Sequence, residues 1–342
     1  MPEAHLISNA AVFVLFALGV GAGVAVRRNR LWREAARELS RRRPLALLVV
    51  AIYVLVAVLD SVAWVGGAGE TADAVAAHEP RSVVDRAFAG LREASYSAPL
   101  AEVEFDPPRS PLEHPGGHLL GTDILGRDVL YLTLKGARVA LLIGGLTSLI
   151  AIPLALLLGV SAGYFGGRID DAVFFIMSTL ASMPGLLLLI ALIMALGRST
   201  LSVCIALGVT SWVGFCRVVR GETFKLRELD YVQAARALGV SESRILLRHI
   251  VPNLMHLVII TFVLMFSGLV LSEAILSWLG IGVEGSWGQM IDRARNELSR
   301  DPIVWWNIAA AGTALFGLLL AVNFLGDALR DILDPRTLRE NR

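Results

Sequence analysis

Two histidines with metal-ligand spacing are the first side chains in the sequence that could do chemistry together. His114 and His118 are four residues apart, so on a helix they would share one face and could bind a metal ion. The three residues between them are Pro115, Gly116 and Gly117, which argue against a helix. We therefore predict no metal site in this chain.

The sequence gives no convincing pattern of a nucleotide-binding or hydrolytic site. There is no Gly-x-x-x-x-Gly-Lys-Ser/Thr, and neither Lys135 nor Lys225 follows a glycine, so we expect no ATP site of the P-loop type. His-Glu-x-x-His, a usual signature of metal-dependent hydrolases, does not occur either. The one Gly-x-Ser-x-Gly, at 159–163, lies inside an apolar stretch rather than on the strand-to-helix turn that a serine hydrolase needs. We expect neither a catalytic residue nor a bound cofactor in this chain.

An ionisable residue and a proline within apolar stretches are further candidates, because burying a charge or breaking a helix in lipid is costly. Glu273 either faces an internal cavity or pairs with a loop arginine such as Arg293. Pro184 is expected to bend its helix and free a backbone carbonyl, which suits either a gate or a plain packing feature. Asp60, near the end of another apolar stretch, is expected to be only interfacial.

The composition places these residues in a membrane protein. The chain has 342 residues, of which 55% are hydrophobic and 18% are charged, whereas about a quarter of the residues in a soluble protein are charged. This balance excludes disordered, collagen-like and disulfide-stapled secreted proteins, and a net charge of +1 gives no nucleic-acid-binding footprint. The two cysteines, Cys204 and Cys216, would lie about 18 Å apart on one helix, too far to form a disulfide.

Seven apolar stretches are long enough, or nearly so, to cross the hydrocarbon core, which takes about 20 residues. The first is long for a signal peptide, and its arginines follow it rather than precede it, so we expect a retained helix. The approximate limits of the seven are 7–26, 45–66, 139–163, 172–196, 201–216, 255–279 and 304–325.

The distribution of arginine predicts how the chain is threaded through the membrane. Residues 27–43 hold eight arginines and two glutamates, a net charge of +6, and should be cytoplasmic. Alternation then places Met1, 67–138 and 280–303 outside, and it places 217–254 and the C-terminus inside. The charges agree, because the two outer segments carry 11 acidic against 7 basic and 4 against 3 residues, whereas 217–254 carries 4 against 7.

Two short amphipathic helices are predicted outside the spans. In the basic segment, one face from Trp32 to Leu39 is apolar and surrounded by arginines, which is typical of a helix lying in the membrane interface. A solvated linker is the alternative. In the first outer segment, Ser82 and Asp85 resemble a capping box ahead of an apolar stripe.

Segment 217–254 has the pattern of two short helices joined by a tight turn. Asp230 suits the N-cap of the first helix, and Ala234 and Ala235 favour helix within it. Gly239 suits the left-handed residue that follows a helix, and Ser241 could cap the second helix. Such a unit would offer a small-residue surface to another protein, although an ordinary loop between two spans would fit the same residues.

This segment resembles the EAA loop of ABC importer permeases, whose pattern is Glu-Ala-Ala, three residues, Gly, nine residues and Ile-x-Leu-Pro. Gln233 stands where that pattern has glutamate, and His249 and Val251 stand where it has isoleucine and leucine. The positions that match at the right spacing are Ala234, Ala235, Gly239 and Pro252.

Flanking motifs narrow the resemblance to the second permease subunit of dipeptide and oligopeptide importers, whose relatives also carry nickel, glutathione and antimicrobial peptides. The resemblance covers about 44–66 and nearly all of 114–336, and the helix at 7–26 lies outside the six-helix plan of the family. The first two motifs are His-Leu-Leu-Gly-Thr-Asp-Ile-Leu-Gly-Arg-Asp at 118–128 and Gly-Tyr-Phe-Gly-Gly at 163–167. The others are Ser-Glu-Ala-Ile-Leu-Ser-Trp-Leu-Gly-Ile-Gly at 272–282, Ser-Trp-Gly at 286–288, and the tail at 323–335.

The resemblance implies an all-α, polytopic membrane protein with a six-helix ABC importer permease core and one extra N-terminal transmembrane helix. Residues 1–43 would hold the extra helix and the basic interfacial helix. Residues 44–138 would hold the first core helix and an extracytoplasmic loop. Residues 139–342 would complete the permease core, with 217–254 as the cytoplasmic coupling loop.

The resemblance also implies a function: half of a heterodimeric translocation pore in the bacterial cytoplasmic (inner) membrane. The implied partners are a second permease subunit, two cytoplasmic ATPase subunits that hold ATP and magnesium, and an extracytoplasmic solute-binding protein. Peptides are the first expectation for the substrate, and nickel, other small solutes and antimicrobial peptides are alternatives. The residues expected to couple to the ATPase are Asp230, Tyr231, Gln233, Ala234, Ala235, Leu238, Gly239 and Pro252.

Two other classes of function compete with transport. A membrane-embedded enzyme acting on lipid or peptide would need polar side chains at one depth in several spans, and the apolar stretches lack such a set. A receptor or signalling subunit of similar build would not transport at all. Neighbouring genes for two P-loop ATPases and a binding protein would favour transport over that alternative.

Overall fold

The computed structural model describes residues 30–64 and 81–333, together with a few positions between 10 and 21. The predicted N-terminal span, 7–26, falls almost wholly outside the described residues, as does the end of the C-terminal tail. The fold is therefore described from the basic segment onward.

Helices make up most of the described residues, which confirms the predicted all-α class. Two short strands, β1 (Ala63–Trp64) and β2 (Arg81–Ser82), pair antiparallel, with Ala63 opposite Ser82. A π-helical turn, Leu246–Ile250, makes Glu242–Trp278 one continuous helical span. The helices are α1 (Arg30–Arg42), α2 (Pro44–Ser61), α3 (Val83–Ala87), α4 (Val129–Phe165), α5 (Gly167–Ser182), α6 (Gly185–Leu196), α7 (Thr200–Arg227), α8 (Asp230–Ala237), α9 (Glu242–Ile245), α10 (Val251–Trp278), α11 (Trp287–Glu297) and α12 (Trp306–Leu333).

The described residues contain five helical spans long and apolar enough to cross a membrane, and a sixth that is broken. The sixth is the pair α5 and α6, whose axes meet at 94°. The proline predicted to bend this span, Pro184, lies directly at the break. The five continuous spans are Pro44–Ser61, Val129–Phe165, Thr200–Arg227, Glu242–Trp278 and Trp306–Ile332.

The packing of α4 against α7 shows that the bent pair crosses the full depth of the bundle. Near one end of the two helices, Cys204 Sγ lies 4.0 Å from the carbonyl oxygen of Leu142. Near the other end, Gly159 lets the helices approach so closely that a Cβ there would lie 2.8 Å from the side chain of Val219. The two helices therefore run parallel, and the intervening α5 and α6 must return the chain from one end to the other.

The remaining contacts sort the connections between two opposite ends of the bundle. Helix α10 runs antiparallel to α4, because Phe266 packs at Gly144 whereas the Tyr164 hydroxyl bonds to Glu242. The end that carries α8 also carries the turn after α4. The other end carries residues 81–128 and 279–305, which we call the cap; Tyr96 donates a hydrogen bond to Glu297 across it, at 3.0 Å.

Two spans are longer than hydropathy predicts. Helix α4 begins at Val129, ten residues before the predicted 139, and α7 continues to Arg227 although the apolar stretch ends at 216. Charged residues mark the limit of the hydrocarbon core, but they do not end a helix, because backbone hydrogen bonds continue into the polar region. The first part of segment 217–254 is therefore helix rather than loop.

The short helices outside the spans follow the prediction in part. Helix α1 is present in the basic segment, and Ser82 and Asp85 form the predicted capping box at the start of α3. Helix α3 ends at Ala87, so the amphipathic helix expected there is only five residues long. The two cysteines are buried and free, which agrees with the prediction that they do not pair.

Candidate functional site: the α8 loop

The α8 loop, residues 228–252, has the helix–turn–helix build that the sequence predicts, with a different N-cap on its first helix. Helix α8 begins at Asp230 itself and Leu229 is its N-cap, so Asp230 is not the capping residue. Ser241 is the N-cap residue of α9, as predicted, but its side chain makes no capping hydrogen bond. Gly239 has φ +75°, the left-handed conformation expected of the residue after a helix.

One face of the loop is anchored in the apolar core. Val232 is buried on α8, and Ala235 packs partly against the same cluster. Ile245 and Ile250 are fully buried beside Val219 of α7. These side chains fix the loop to the spans, so the loop is part of the helical bundle rather than a free connection.

The opposite face exposes apolar and small side chains. Leu238 is 83% exposed and Leu247 is 71% exposed, and Tyr231 and Ala234 are exposed beside them. Large apolar side chains exposed together at the polar end of a bundle are typical of a surface that another protein covers. Leu247 also lines a groove of about 480 Å³, together with Ser241, Ser243, Arg244, Arg248 and Pro252.

A polar cluster ties the loop to the end of α4. The Tyr164 hydroxyl donates a short hydrogen bond to the Glu242 carboxylate. The Arg236 guanidinium lies 5.1 Å from the centre of the Tyr164 ring, with its Nε 3.6 Å from Glu242 Oε1. Its hydrogen bond with Tyr164 and the charge of Glu242 raise the pKa of Arg236, which therefore stays charged. This cluster joins both helices of the loop to one span.

A second connection runs through the C-terminal end of α7. Gln233 Nε2 donates to the carbonyl oxygen of Arg227 at 2.8 Å, and Arg227 donates from Nη1 to the carbonyl oxygen of Gly163 at 3.1 Å. The amide of Gln233 thus supplies a hydrogen-bond donor to a helix C-terminus, which the carboxylate of the family pattern could not do. The departure at position 233 has a structural reason in this chain.

Tyr231 and Pro252 lie on either side of the π-helical turn. Asn253 Nδ2 donates to the Tyr231 hydroxyl at 3.0 Å, and the Tyr231 ring lies 6.0 Å from the ring of His249. Proline has no N–H to donate and its ring crowds the preceding turn, so the wider π turn accommodates Pro252 without ending the helix. Pro252 therefore lies inside the continuous helical span Glu242–Trp278.

Sequence reasoning missed the residues that fasten the loop. These residues are Tyr164, Arg227, Arg236 and Glu242. The hydrogen bond from Arg227 to Gly163 joins residues 64 positions apart, and that from Tyr164 to Glu242 joins residues 78 positions apart. The available signal was the Gly-Tyr-Phe-Gly-Gly motif at 163–167, which ends α4 at the height of the loop. Only the fold shows that this motif faces α8.

Glu273, one of two candidates for the translocation cavity, is buried inside the chain. It is 3% exposed, and Ser277 Oγ donates to its Oε1 at 2.5 Å. Ser277 Oγ in turn lies 2.9 Å from Ser286 Oγ. Arg293, the ion-pair partner suggested by the sequence, instead lines a cavity of about 250 Å³ in the cap. The described contacts of Glu273 are structural.

Pro184, the candidate for a gate, stands at the 94° bend, and the carbonyl oxygen four residues before it has a partner. The carbonyl oxygen of Leu180 accepts the N–H of Met183 at 3.3 Å, and Leu188 donates to the Pro184 carbonyl at 3.1 Å. The helices on both sides are largely exposed. Their exposed large apolar side chains include Phe174, Phe175, Ile176, Met183, Leu186, Leu187, Met194 and Leu196.

Asp60, near the end of α2, belongs to a buried charged network. It is 1% exposed, its Oδ1 lies 2.9 Å from Lys135 Nζ, and Ser82 donates to it at 2.7 Å. Lys135 also contacts Asp85 at 2.7 Å. Burial raises the pKa of Asp85, but hydrogen bonds from Lys135 and the backbone of Ser82 lower it further, to about 2.

Comparison with known proteins gives relatives of one kind. The family model described as "Binding-protein-dependent transport system inner membrane component" matches residues 155–339. The oligopeptide transport system permease protein OppC of Haemophilus influenzae is 35% identical over 224 residues, which cover 65% of this chain and 71% of that protein. A putative peptide transport system permease protein of Brucella suis is 36% identical over 307 residues, 88% of this chain and 90% of that protein.

Two further likenesses are weaker or shorter. The dipeptide transport system permease protein DppC of Bacillus subtilis is 35% identical over 225 residues, 65% of this chain and 70% of that protein. Among solved structures, a chain from inward-facing conformations of the MetNI methionine ABC transporter superposes with a TM-score of 0.49 at 18% identity. It covers 60% of this chain and 97% of that chain, and we base no argument on it.

Proposed function

The chain belongs to the family of binding-protein-dependent transport system inner membrane components, and from this we propose that it carries di- or oligopeptides through a pore shared with a second permease subunit. It is a multi-pass permease of an ABC importer and not a membrane-embedded enzyme. The ATP, the magnesium and the hydrolytic residues are assigned to partner ATPase subunits.

The observation that carries the mechanism is the α8 loop, which is exposed on one face and fastened on the other. An ATPase subunit seated against Tyr231, Ala234 and Leu238 would push on a helix that cannot yield locally. Its buried Val232 and the hydrogen bond of Gln233 transmit the displacement to α4 and α7. We propose that this movement of packed spans changes the access of the pore from one side to the other.

The sidedness of the chain follows from the arginine-rich segment before α2. We propose that the α8 end faces the cytoplasm and that the cap faces outward, where a solute-binding protein delivers substrate. The N-terminus is then extracytoplasmic and the C-terminus is cytoplasmic. This arrangement is supported by the contacts that place α8 and the turn after α4 at one end of the bundle and the cap at the other end.

The second permease subunit is proposed to cover the bent pair α5 and α6. This pair makes few contacts with the rest of the chain and exposes large apolar side chains such as Phe175 and Leu187, at 71% and 62%. A bend of 94° leaves its middle unable to pack along a neighbouring straight helix. A second subunit with a similar bend would fill that space, and Pro184 would then lie at the pore.

The substrate class is proposed from the relatives. The relatives described above are named for oligopeptides, peptides and dipeptides, and the glutathione transport system permease protein GsiD of Pectobacterium atrosepticum is 35% identical over 247 residues. Glutathione is itself a tripeptide. Nickel and other small solutes are the alternatives within the same family.

Uptake by the assembled transporter tests the proposal. Proteoliposomes that contain the chain with its partner permease, ATPases and binding protein should accumulate labelled di- or tripeptide only with ATP. Unlabelled peptide should compete for uptake, and nickel should not. Competition by nickel alone would replace the peptide assignment, and ATP-independent or absent uptake of every solute tested would contradict transport.

A further inference from the structure

Three side chains of the cap converge with the geometry of a metal site. Glu93, His114 and His118 each offer one ligand atom, and these atoms lie within 4.8 Å of one another. Glu93 Oε1 lies 3.3 Å from His118 Nε2 and 3.4 Å from His114 Nδ1. Two ligands bound to a tetrahedral Zn²⁺ at about 2.0–2.1 Å are separated by about 3.3 Å.

The sequence argument against this pair assumed that the histidines would need a helix. Instead, a turn brings them together, with the Gly117 N–H donating to the His114 carbonyl oxygen at 3.0 Å. The turn also places them against Glu93, more than twenty residues earlier in the chain. The proline and glycines that rule out a helix are the residues that make the turn.

The supporting contacts are those that orient metal ligands. Asp128 Oδ2 lies 2.8 Å from His118 Nδ1, which leaves Nε2 of that ring directed at Glu93. A carboxylate on the far nitrogen of a histidine is the usual device that fixes a ligand ring. Glu93 is fixed as well, because its two oxygens accept the backbone N–H groups of Glu113 and His114 at 3.0 and 2.9 Å.

One polar atom at the centre of this group has no hydrogen-bond partner. His114 Nδ1 is buried from solvent and forms no hydrogen bond, although it lies next to the Glu93 carboxylate. Buried polar atoms in native proteins are almost always satisfied, so an orphan atom among two other ligand atoms indicates a missing partner. A cation bound between the three would satisfy it.

We propose that Glu93, His114 and His118 bind a structural divalent metal ion of the Zn²⁺ class, with water as the fourth ligand. Two nitrogens and one carboxylate oxygen suit zinc. The site joins the segment after α3 to the turn before α4. Both cysteines lie buried in α7, so they cannot form a disulfide in the cap. A bound metal ion would cross-link the segments of the cap instead. The proposal does not depend on the transported substrate.

Metal content of the purified full-length chain tests this inference. The chain is prepared with a tag other than polyhistidine, equilibrated with Zn²⁺ in detergent or nanodiscs, and passed through gel filtration. We expect about one zinc per chain. We expect His114→Gln to lose at least 90% of it and Glu93→Gln to behave alike. Co²⁺ in place of Zn²⁺ should give the intense visible absorption of a tetrahedral site.

His114→Gln is the decisive variant, because the imidazole nitrogen it removes makes no hydrogen bond and the side chain is 37% exposed, so the fold should survive. His256→Gln, in the second turn of α10 and outside the cap, is the matched control and should keep its zinc. Asp128→Asn retains an N-cap for α4 but weakens the hold on His118, and should weaken zinc binding about 10- to 100-fold.

The inference is wrong if the wild-type chain retains no more zinc than the folded His114→Gln variant. It is equally wrong if zinc raises the melting temperature of wild type and of His114→Gln by the same amount. Either result would leave the three side chains as a purely hydrogen-bonded cluster.

Discussion

Leu238 is the most exposed large apolar side chain among the described residues, and its neighbours on α8 explain why the α8 loop suits a docking role. Ala234 is small and exposed, and Ala235, one residue later, is half-buried against the core. A partner can therefore approach the helix closely on one face while the other face holds it. The docking role of α8 therefore depends on which of its side chains are exposed and which pack against the core.

Adding charge to the exposed face should uncouple transport. We predict that Ala234→Glu and Leu238→Glu each reduce ATP-dependent uptake at least ten-fold, because a partner would have to bury the new carboxylate. Insertion in the membrane and gel-filtration behaviour should be unchanged. Ala235→Glu is a poorer test, since its side chain would also disturb the core.

The matched control for these variants is Lys225→Glu, which alters the charge of an exposed side chain on α7 near the same end. Its uptake should stay within two-fold of wild type. Normal uptake by both Ala234→Glu and Leu238→Glu would remove α8 from the coupling path.

The pKa of Asp85 predicts acid sensitivity of the cap. Because the pKa is lowered from 3.8 to about 2, the stabilisation is present above about pH 4 and is lost as the pH falls through 2. At pH 7 the wild-type chain should be more stable than Asp85→Asn by about 1 kcal/mol, allowing for partial solvent screening. Thermal unfolding of the two chains from pH 7 to pH 3 measures this difference, which should shrink at the acid end; a constant difference would contradict it.

The elements show what a sequence of this kind can and cannot predict. Hydropathy finds the spans, because each must cover the hydrocarbon core, and the left-handed Gly239 and the Ser82 capping box follow from local stereochemistry. Hydropathy does not find helix ends such as Val129 and Arg227, since a helix continues past the lipid. It also misses tertiary contacts such as Tyr164–Glu242, which depend on how distant spans pack.

The hydroxyl of Tyr164 should matter for coupling rather than for folding. We predict that Tyr164→Phe keeps the ring beneath Arg236 but loosens α9, lowering the ratio of peptide transported to ATP hydrolysed several-fold. Tyr53→Phe is the matched control, because the Tyr53 hydroxyl also donates a partly buried hydrogen bond. Its acceptor is the Ala314 carbonyl oxygen at 2.8 Å, far from α8. Equal ratios for the two variants would show that the Tyr164–Glu242 bond carries no coupling.

At the scale of the whole molecule, two opposite ends with different chemistry are connected by packed spans. The α8 end exposes an apolar face, and the cap is joined to the spans by polar contacts of Ser82 with Asp60 and of Asp85 with Lys135. The exposed bent pair α5 and α6 leaves one side of the bundle open. This open side is where the proposed second permease subunit would pack.

Cysteine labelling tests the sidedness of the two ends. Ser110→Cys in the cap should react with a membrane-impermeant maleimide in intact spheroplasts, whereas Ser243→Cys beside α8 should react only after permeabilisation. Both serines are exposed, and the native Cys204 and Cys216 are buried, so background labelling should be low. The reverse pattern would invert the proposed topology.

The most direct test places a photo-crosslinking amino acid at Leu238 in the assembled transporter. Irradiation should join this chain to an ATPase subunit, and ATP binding should change the yield, because the exposed face of α8 is proposed to be the surface on which the ATPase acts. Crosslinks only to lipid, or to the solute-binding protein, would contradict the central claim.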